Sequence, residues 1–152
     1  MRYCTRCLFP ESKPDLWFDT NGVCSACLAY DARAEIDWAE RRLDLETLLE
    51  QYRGNGDYDC IVPVSGGKDS HFQVLTALEL GLRPLCVTAT TDHLTDIGRR
   101  NIENLKRQGV DYIEVTPNPA IRRRLNRLAL EEVGDISWPE HQLIFTVPFN
   151  VA

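Results

Sequence analysis

Four cysteines in two pairs, Cys4-Thr5-Arg6-Cys7 and Cys24-Ser25-Ala26-Cys27, open the chemistry of this sequence. Their spacing is C-x2-C-x16-C-x2-C. Each pair can fold as a knuckle that presents two thiolates to one ion. Two knuckles complete a tetrahedral sulfur shell, which suits zinc and leaves no open position for a substrate. Two disulfides or an iron–sulfur cluster are the alternatives, but the spacing sits within the usual zinc pattern. Such an ion would act by stabilising, because so short a segment cannot bury enough core alone. Cys60 and Cys86 stand apart in apolar segments. They could carry sulfur in a thiolation reaction; small buried residues of strands are the simpler account.

The second chemical feature is Ser65-Gly66-Gly67-Lys68-Asp69-Ser70, which follows an apolar run and precedes a helical pattern. Two glycines let the backbone approach a ligand and turn successive N–H groups inward. The following helix N-terminus adds positive dipole character, so an anion, most simply a phosphate, belongs there. Ser65 and Ser70 supply hydroxyls, and Lys68 supplies a charge. Lys68 and Asp69 are the candidate catalytic residues. The run is not a Walker loop, which needs G-x4-G-K-[ST]. An ordinary capped strand-to-helix turn is the plain alternative.

The elements that must position these groups follow from the pattern. Residues 1–30 form a module with both cysteine pairs, in which Asn21-Gly22 turns a short hairpin that presents the second pair. Residues 31–56 read as a linker helix over 33–53, with Leu45, Leu48, Leu49 and Tyr52 at helical spacing and Gly54 and Gly56 at its end. Trp17 and Trp38 are expected to pack the module and this linker. From 57 to 152 the pattern predicts strands over 60–64, 84–89 and 112–115. Helices over 71–80, 96–108 and 120–133 alternate with them, each stopped by a glycine. That alternation implies a parallel α/β sheet with right-handed crossovers. The tail over 137–152 is ambiguous, since Trp138-Pro139 starts a helix while Ile144-Phe145-Thr146-Val147 is rich in strand formers.

Composition bounds the function. The chain of 152 residues is 43% hydrophobic and 26% charged, which is globular composition. No apolar run approaches the ~20 residues of a membrane span. The N-terminus lacks the apolar core of a secretory signal, which points to the cytoplasm. The net charge of −6 weighs against a partner bound by general attraction to nucleic acid. The run Arg122, Arg123, Arg124 and Arg127 reads as a solvated helix face with Ile121, Leu125 and Leu128 turned to the core, with contact to a diphosphate, RNA or a partner as the alternative.

SGGKDS after a first strand resembles the signature of the PP-loop ATP pyrophosphatases, of the adenine-nucleotide α-hydrolase-like fold. The resemblance implies a doubly wound sheet and cleavage of ATP between its α and β phosphates. It implies that Ser65, Gly66, Gly67, Lys68, Asp69 and Ser70 hold the pyrophosphate end, with Asp69 near magnesium. The end of the second strand, at Thr88 and Ala89, would meet the adenine. Asp92 and His93 follow the second strand at the crevice side, where they could contact nucleotide or sugar or serve as turn and cap; His141 could reach the sugar or the phosphate or be a partly buried structural histidine.

A closer resemblance covers nearly the whole chain. It runs through Tyr3-Cys4-x-x-Cys7-x-x-Pro10, Phe18-Asp19-x-x-Gly22-Val23-Cys24-x-x-Cys27 and Tyr58-Asp59-Cys60-Ile61-Val62-Pro63-Val64. It continues through Thr91-Asp92-His93-Leu94, Gly98-x-x-Asn101-Ile102-Glu103-Asn104-Leu105 and Gly134-Asp135-x-x-Trp138-Pro139-x-His141. Together these are similar to the N-acetyl sugar amidotransferases of lipopolysaccharide O-antigen biosynthesis. The resemblance implies conversion of an acetamido group on a nucleotide-linked sugar to an acetamidino group, with ammonia from a glutaminase partner. It also implies a sheet of roughly five strands, of which this sequence supplies three. The expectation is therefore the N-terminal portion of a longer enzyme. A tRNA-thiolating PP-loop enzyme and a catalytically incomplete nucleotide-binding piece are the competing expectations.

Overall fold

A computed structural model describes residues 1–91 and 94–152. The chain divides into two compact units, Met1–Thr47 and Leu48–Ala152.

In the first unit the two knuckles are built by short backbone ties. Tyr3 and Pro10 form an antiparallel bridge. Inside it Cys4 N–H donates to Phe9 O at 2.9 Å and Leu8 N–H to Cys4 O at 3.1 Å. The turn between them carries Leu8 at φ 62, in the left-handed region. Phe18 and Cys24 form the second bridge. The turn that joins them is stapled by Asp19, whose Oδ1 accepts from Asn21 N–H at 2.9 Å and Val23 N–H at 2.8 Å. Gly22 takes φ +77, and a Cβ there would meet Thr5 Cγ2 at 3.1 Å. This is the hairpin the Asn-Gly pair predicts. Helix α1 (Ser25–Asp31), a 3-10 turn (Ala32–Glu35) and helix α2 (Trp38–Glu50) follow. Helix α2 is shorter than the span 33–53, because Asp37 Oδ1 caps the N–H groups of Ala39 and Glu40 and starts the helix there. Trp17 and Trp38 are each 59% exposed, so neither packs as its size led us to expect.

The second unit is α/β. Strands β1 (Cys60–Pro63), β2 (Pro84–Ala89) and β3 (Asp111–Val115) alternate with α3 (Lys68–Glu79), α4 (Asp96–Lys106), α5 (Pro119–Val133) and α6 (Trp138–Val151). The sheet is parallel in the order β1-β2-β3. Val62 pairs with Cys86 and Cys86 with Tyr112, which puts these residues on one face. That face packs on Val74 of α3 and Leu105 of α4 in the main core. Both crossovers run the same way along the sheet, so right-handed connection places α3 and α4 together. Ile61 and Pro63 point to the other face and line a cleft with Ile144, Pro148 and Phe149 of α6. Among the described residues no strand pairs with the free side of β1.

The register of β1 on β2 is locked at its start. Asp59 N–H donates to Arg83 O at 2.9 Å. The Asp59 carboxylate accepts from Gly54 N–H and Arg83 N–H, both at 2.8 Å, and pairs with the Arg83 guanidinium at 3.0 Å. The Arg83 side chain, with those two amides, holds this carboxyl far below the usual range against the opposing effect of burial. A depressed native pKa contributes stability that is present above the ordinary aspartate range and is lost as pH falls through the native value. We expect Asp59→Asn to lower the melting temperature at pH 7 and to flatten the acid limb of the stability curve, both read by circular dichroism. An acid limb that Asp59→Asn leaves intact would assign the acid sensitivity to another group.

Two parts of the fold differ from the sequence pattern. The ambiguous tail is helical throughout α6, with Pro139 in its first turn and Pro148 inside it. Packing on β1 and β2 overrides the β propensity of residues 144–147. On α5, Ile121 is 59% exposed and Leu125 and Leu128 are each 44% exposed. Only Ala129 is buried, against α6, so the apolar stripe expected to face the core lies open.

Candidate functional site

The metal centre comes from both knuckles of the first unit. The sulfur atoms of Cys4, Cys7, Cys24 and Cys27 all lie within 4.8 Å of one another. Cys4 Sγ is 3.9 Å from Cys27 Sγ, and Cys7 Sγ is 3.5 Å from Cys24 Sγ. A tetrahedral zinc with Zn–S bonds of about 2.3 Å has sulfur–sulfur edges of about 3.8 Å, so the donor set fits the ion. Cys4 Sγ also accepts from the N–H groups of Arg6, Cys7 and Cys24 at 3.4, 3.5 and 3.3 Å. Burial opposes ionisation of Cys4, but these amides outweigh it and bring its thiol down to about 6. Burial and the neighbouring thiols push Cys27 up to about 12. Four thiolates this close need a cation between them. Arg6 clasps Asp31 at the end of α1 through both guanidinium nitrogens, which ties the second knuckle's helix to the first knuckle. The four cysteines are thus positioned to hold a metal ion, as a closed structural zinc site would.

The 65–70 loop is built in the second unit, at the C-terminal end of β1. Gly66 turns at φ +77 and is buried. Gly67 is the N-cap of α3 and carries no capping side chain. Ser70 is 6% exposed and is spent on the loop itself. Its hydroxyl donates to Gly67 O at 2.9 Å and accepts from Ser65 N–H at 3.5 Å. The Gly67 carbonyl also receives His71 N–H at 3.3 Å. Among the described residues, no protein acceptor takes the N–H of Gly66, Gly67, Lys68 or Asp69. Donors left over at a helix start form an anion cradle. Ser65, Lys68 and Asp69 are exposed beside it. Lys68 Nζ and Asp69 Oδ1 are 2.6 Å apart, with both side chains more than four-fifths in solvent. The Asp69 carboxylate is an exposed oxygen donor next to the cradle.

Beside the loop lies a cleft of about 240 Å³ across the ends of β1 and β2. Pro63, Val64 and Ser65 form one side, and Val87, Thr88, Ala89, Thr90 and Thr91 the other; Leu94 and Ile144 complete it. Its walls are largely apolar, which suits a flat ring. In a parallel α/β sheet, ligands bind outside the carboxyl ends of the strands. Thr88 is 3% exposed, and its hydroxyl donates to Val64 O, so its side chain braces β1. Ala89 offers backbone and a methyl group to the cleft. Asp92 and His93 lie outside the described residues. His141 is exposed, with its N–H on Ser137 O.

Two groups near the cleft carried no role in the sequence reading. Thr90 Oγ1 donates to Glu114 Oε1 at 2.7 Å, and Arg99 pairs with Glu114 Oε2 at 2.9 Å. The Thr90 hydroxyl and Arg99 pull the Glu114 carboxyl below its usual range. Asn101 of α4 donates to Gly66 O. Asn101 stood in the sequence only as part of the Gly98-x-x-Asn101 run, and nothing local assigned a role to it or to Thr90, Arg99 and Glu114, because their partners come from other elements.

No family model matches the chain, and none of the curated proteins matches it. Among the described residues no helix is long and apolar enough to cross a membrane.

Proposed function

We propose that this chain carries the ATP-binding portion of an ATP-pyrophosphatase-type sugar amidotransferase that turns an acetamido group of a nucleotide-linked sugar into an acetamidino group. The single observation that carries the reading is the cradle of N–H groups at residues 66–69, without a partner among the described residues, beside an apolar cleft at the strand ends. The SGGKDS resemblance supports the same placement.

An amide carbonyl is a poor electrophile. In the proposed reaction its oxygen attacks the α-phosphorus of ATP and pyrophosphate leaves. Ammonia adds to the activated carbon, and AMP departs with the former amide oxygen, leaving the amidine. The chain's part is to bind and orient. The 66–69 amides and Lys68 hold the departing pyrophosphate, and the carboxylate of Asp69 would hold magnesium with it. The cleft at Thr88 and Ala89 would take the adenine. The zinc module holds its own fold and takes no part in the chemistry.

Cys86 weighs against a thiolation reaction. It is 0% exposed, and burial pushes its thiol up to about 11, so it is neither reachable nor ionised. Among the described residues no strand pairs with the free side of β1, which favours one second reading, a nucleotide-binding unit that does not turn over by itself. Pyrophosphate release measured with magnesium ATP, an acetamido nucleotide-sugar and ammonium separates the cases. The leading reading expects release that depends on sugar and ammonium and ignores tRNA. Release driven by tRNA alone would overturn it, and ATP binding without release would favour the second reading.

A further inference from the structure

The phosphate loop is held by two ties of different origin. Ser70 closes it from within, as described above. The other tie crosses 35 positions of sequence: Asn101 Nδ2 donates to Gly66 O at 2.8 Å. Gly66 is pressed against the same helix, where a Cβ on it would come within 2.6 Å of Gly98 O and 3.3 Å of Ile102 Cγ1. Positions 98, 101 and 102 lie on one face of α4, so the first turns of α4 form a seat for the loop. Helix α4 is itself anchored there, because Thr95 Oγ1 accepts Gly98 N–H at 3.1 Å.

We propose that Asn101 is a positioning residue that aims the Gly67 N–H at a bound phosphate. The inference rests on the phosphate-loop reading given above. Gly66 C=O and Gly67 N–H belong to one planar trans peptide and point in opposite directions. Holding the carbonyl on Asn101 therefore turns the amide away from α4 and into the cradle. Glycines flank both sides of this peptide, so its plane is otherwise cheap to rotate. A rotated peptide would offer a carbonyl oxygen to the anion in place of a donor. Asn101 thus removes the competing loop state before ligand arrives, and its loss raises the cost of binding.

The test titrates the whole chain with magnesium pyrophosphate by calorimetry and follows the Gly67 amide by nuclear magnetic resonance. Asn101→Ala is expected to weaken binding about tenfold, the worth of one good hydrogen bond. The Gly67 amide signal should also move or broaden in the ligand-free protein, while amides at the far end of α3 stay in place. Asn101→Asp keeps the side-chain volume but cannot donate when ionised. It covers the case in which Asn101→Ala loosens α4, and it should weaken binding further. Binding within twofold of the parent chain and an unmoved Gly67 signal would overturn the proposal and leave the phosphate loop standing. Absence of pyrophosphate binding by the parent chain would overturn the phosphate-loop reading, and this proposal with it.

Discussion

Cys24→Ser is expected to strip the metal and unfold the knuckles of the first unit. Cys24 is 0% exposed, and its backbone N–H donates to Cys4 Sγ at 3.3 Å, so it serves both as ligand and as frame. Serine offers no thiolate to a soft site. Changes to groups that only support a ligand cost about 10–100-fold in metal affinity, so loss of a ligand should cost more than roughly a hundredfold. Structural zinc supplies about 10–16 kcal/mol to domains of this kind. Neither α1 nor α2 buries a residue that could replace it. The readouts are metal content per chain and hydrogen exchange resolved along the sequence. Protection should vanish at residues 3–27 while β1, β2 and β3, which have their own core, keep theirs. Cys60→Ser is the control and should keep its metal, since Cys60 lies in β1 of the other unit. Full metal content in Cys24→Ser would remove the four-cysteine site.

Gly67→Asp should separate stability from binding with opposite signs. Gly67 has φ −82 and ψ 170, an ordinary extended conformation for an N-cap. Among the described residues a Cβ there meets only Ser65 Oγ, at 3.5 Å. Aspartate is a preferred N-cap and also favours the positive end of the helix, so the fold should gain about 0.5–1 kcal/mol. The same carboxylate occupies the place of the anion. Repulsion at about 4 Å and an effective dielectric near 20 is worth about 4 kcal/mol per charge. Pyrophosphate and ATP binding should therefore fall by more than about a hundredfold, as read by calorimetry. Gly66→Ala is the contrast. At φ +77 an alanine pays about 1–2 kcal/mol in the backbone, and its Cβ would press on Gly98 O at 2.6 Å. That variant should lose stability and binding together. Undiminished binding in Gly67→Asp would move the anion site away from this loop.

The local signals of the fold were legible wherever one short segment carries its own instructions. The two cysteine pairs and the Asn21-Gly22 turn marked the knuckles and hairpin. Apolar runs ended by glycine marked the three strands and their helices, and Pro84–Ala89 is a strand over its full expected span. The Asp96 start of α4 and the Gly134 stop of α5 also appeared in the pattern. The tail did not. Residues 144–147 prefer a strand by themselves, and only the sheet beneath them makes the helix the better packing. On α5 the heptad-like stripe of Ile121, Leu125 and Leu128 promised a buried face. The start of α6, at Trp138 and Pro139, reaches Leu125 and Leu128 but leaves them 44% exposed, and Ile121 lies open at 59%.

The candidate site divides the same way. The residue types in the 65–70 run, and their position after a strand, determined a glycine turn into the start of a helix. Sequence alone also determined that four thiols could meet at one ion. Only the tertiary structure decided which groups remain available for that work. It spends the Ser70 and Thr88 hydroxyls on the loop and on β1, leaves the amides of Gly66, Gly67, Lys68 and Asp69 without a partner among the described residues, and brings Asn101 across from α4 to hold Gly66. The physical reason is one of range. Turn, cap and ligand spacing act over a few residues and are written in order along the chain, whereas satisfaction of a polar group depends on partners that only folding brings within hydrogen-bond distance.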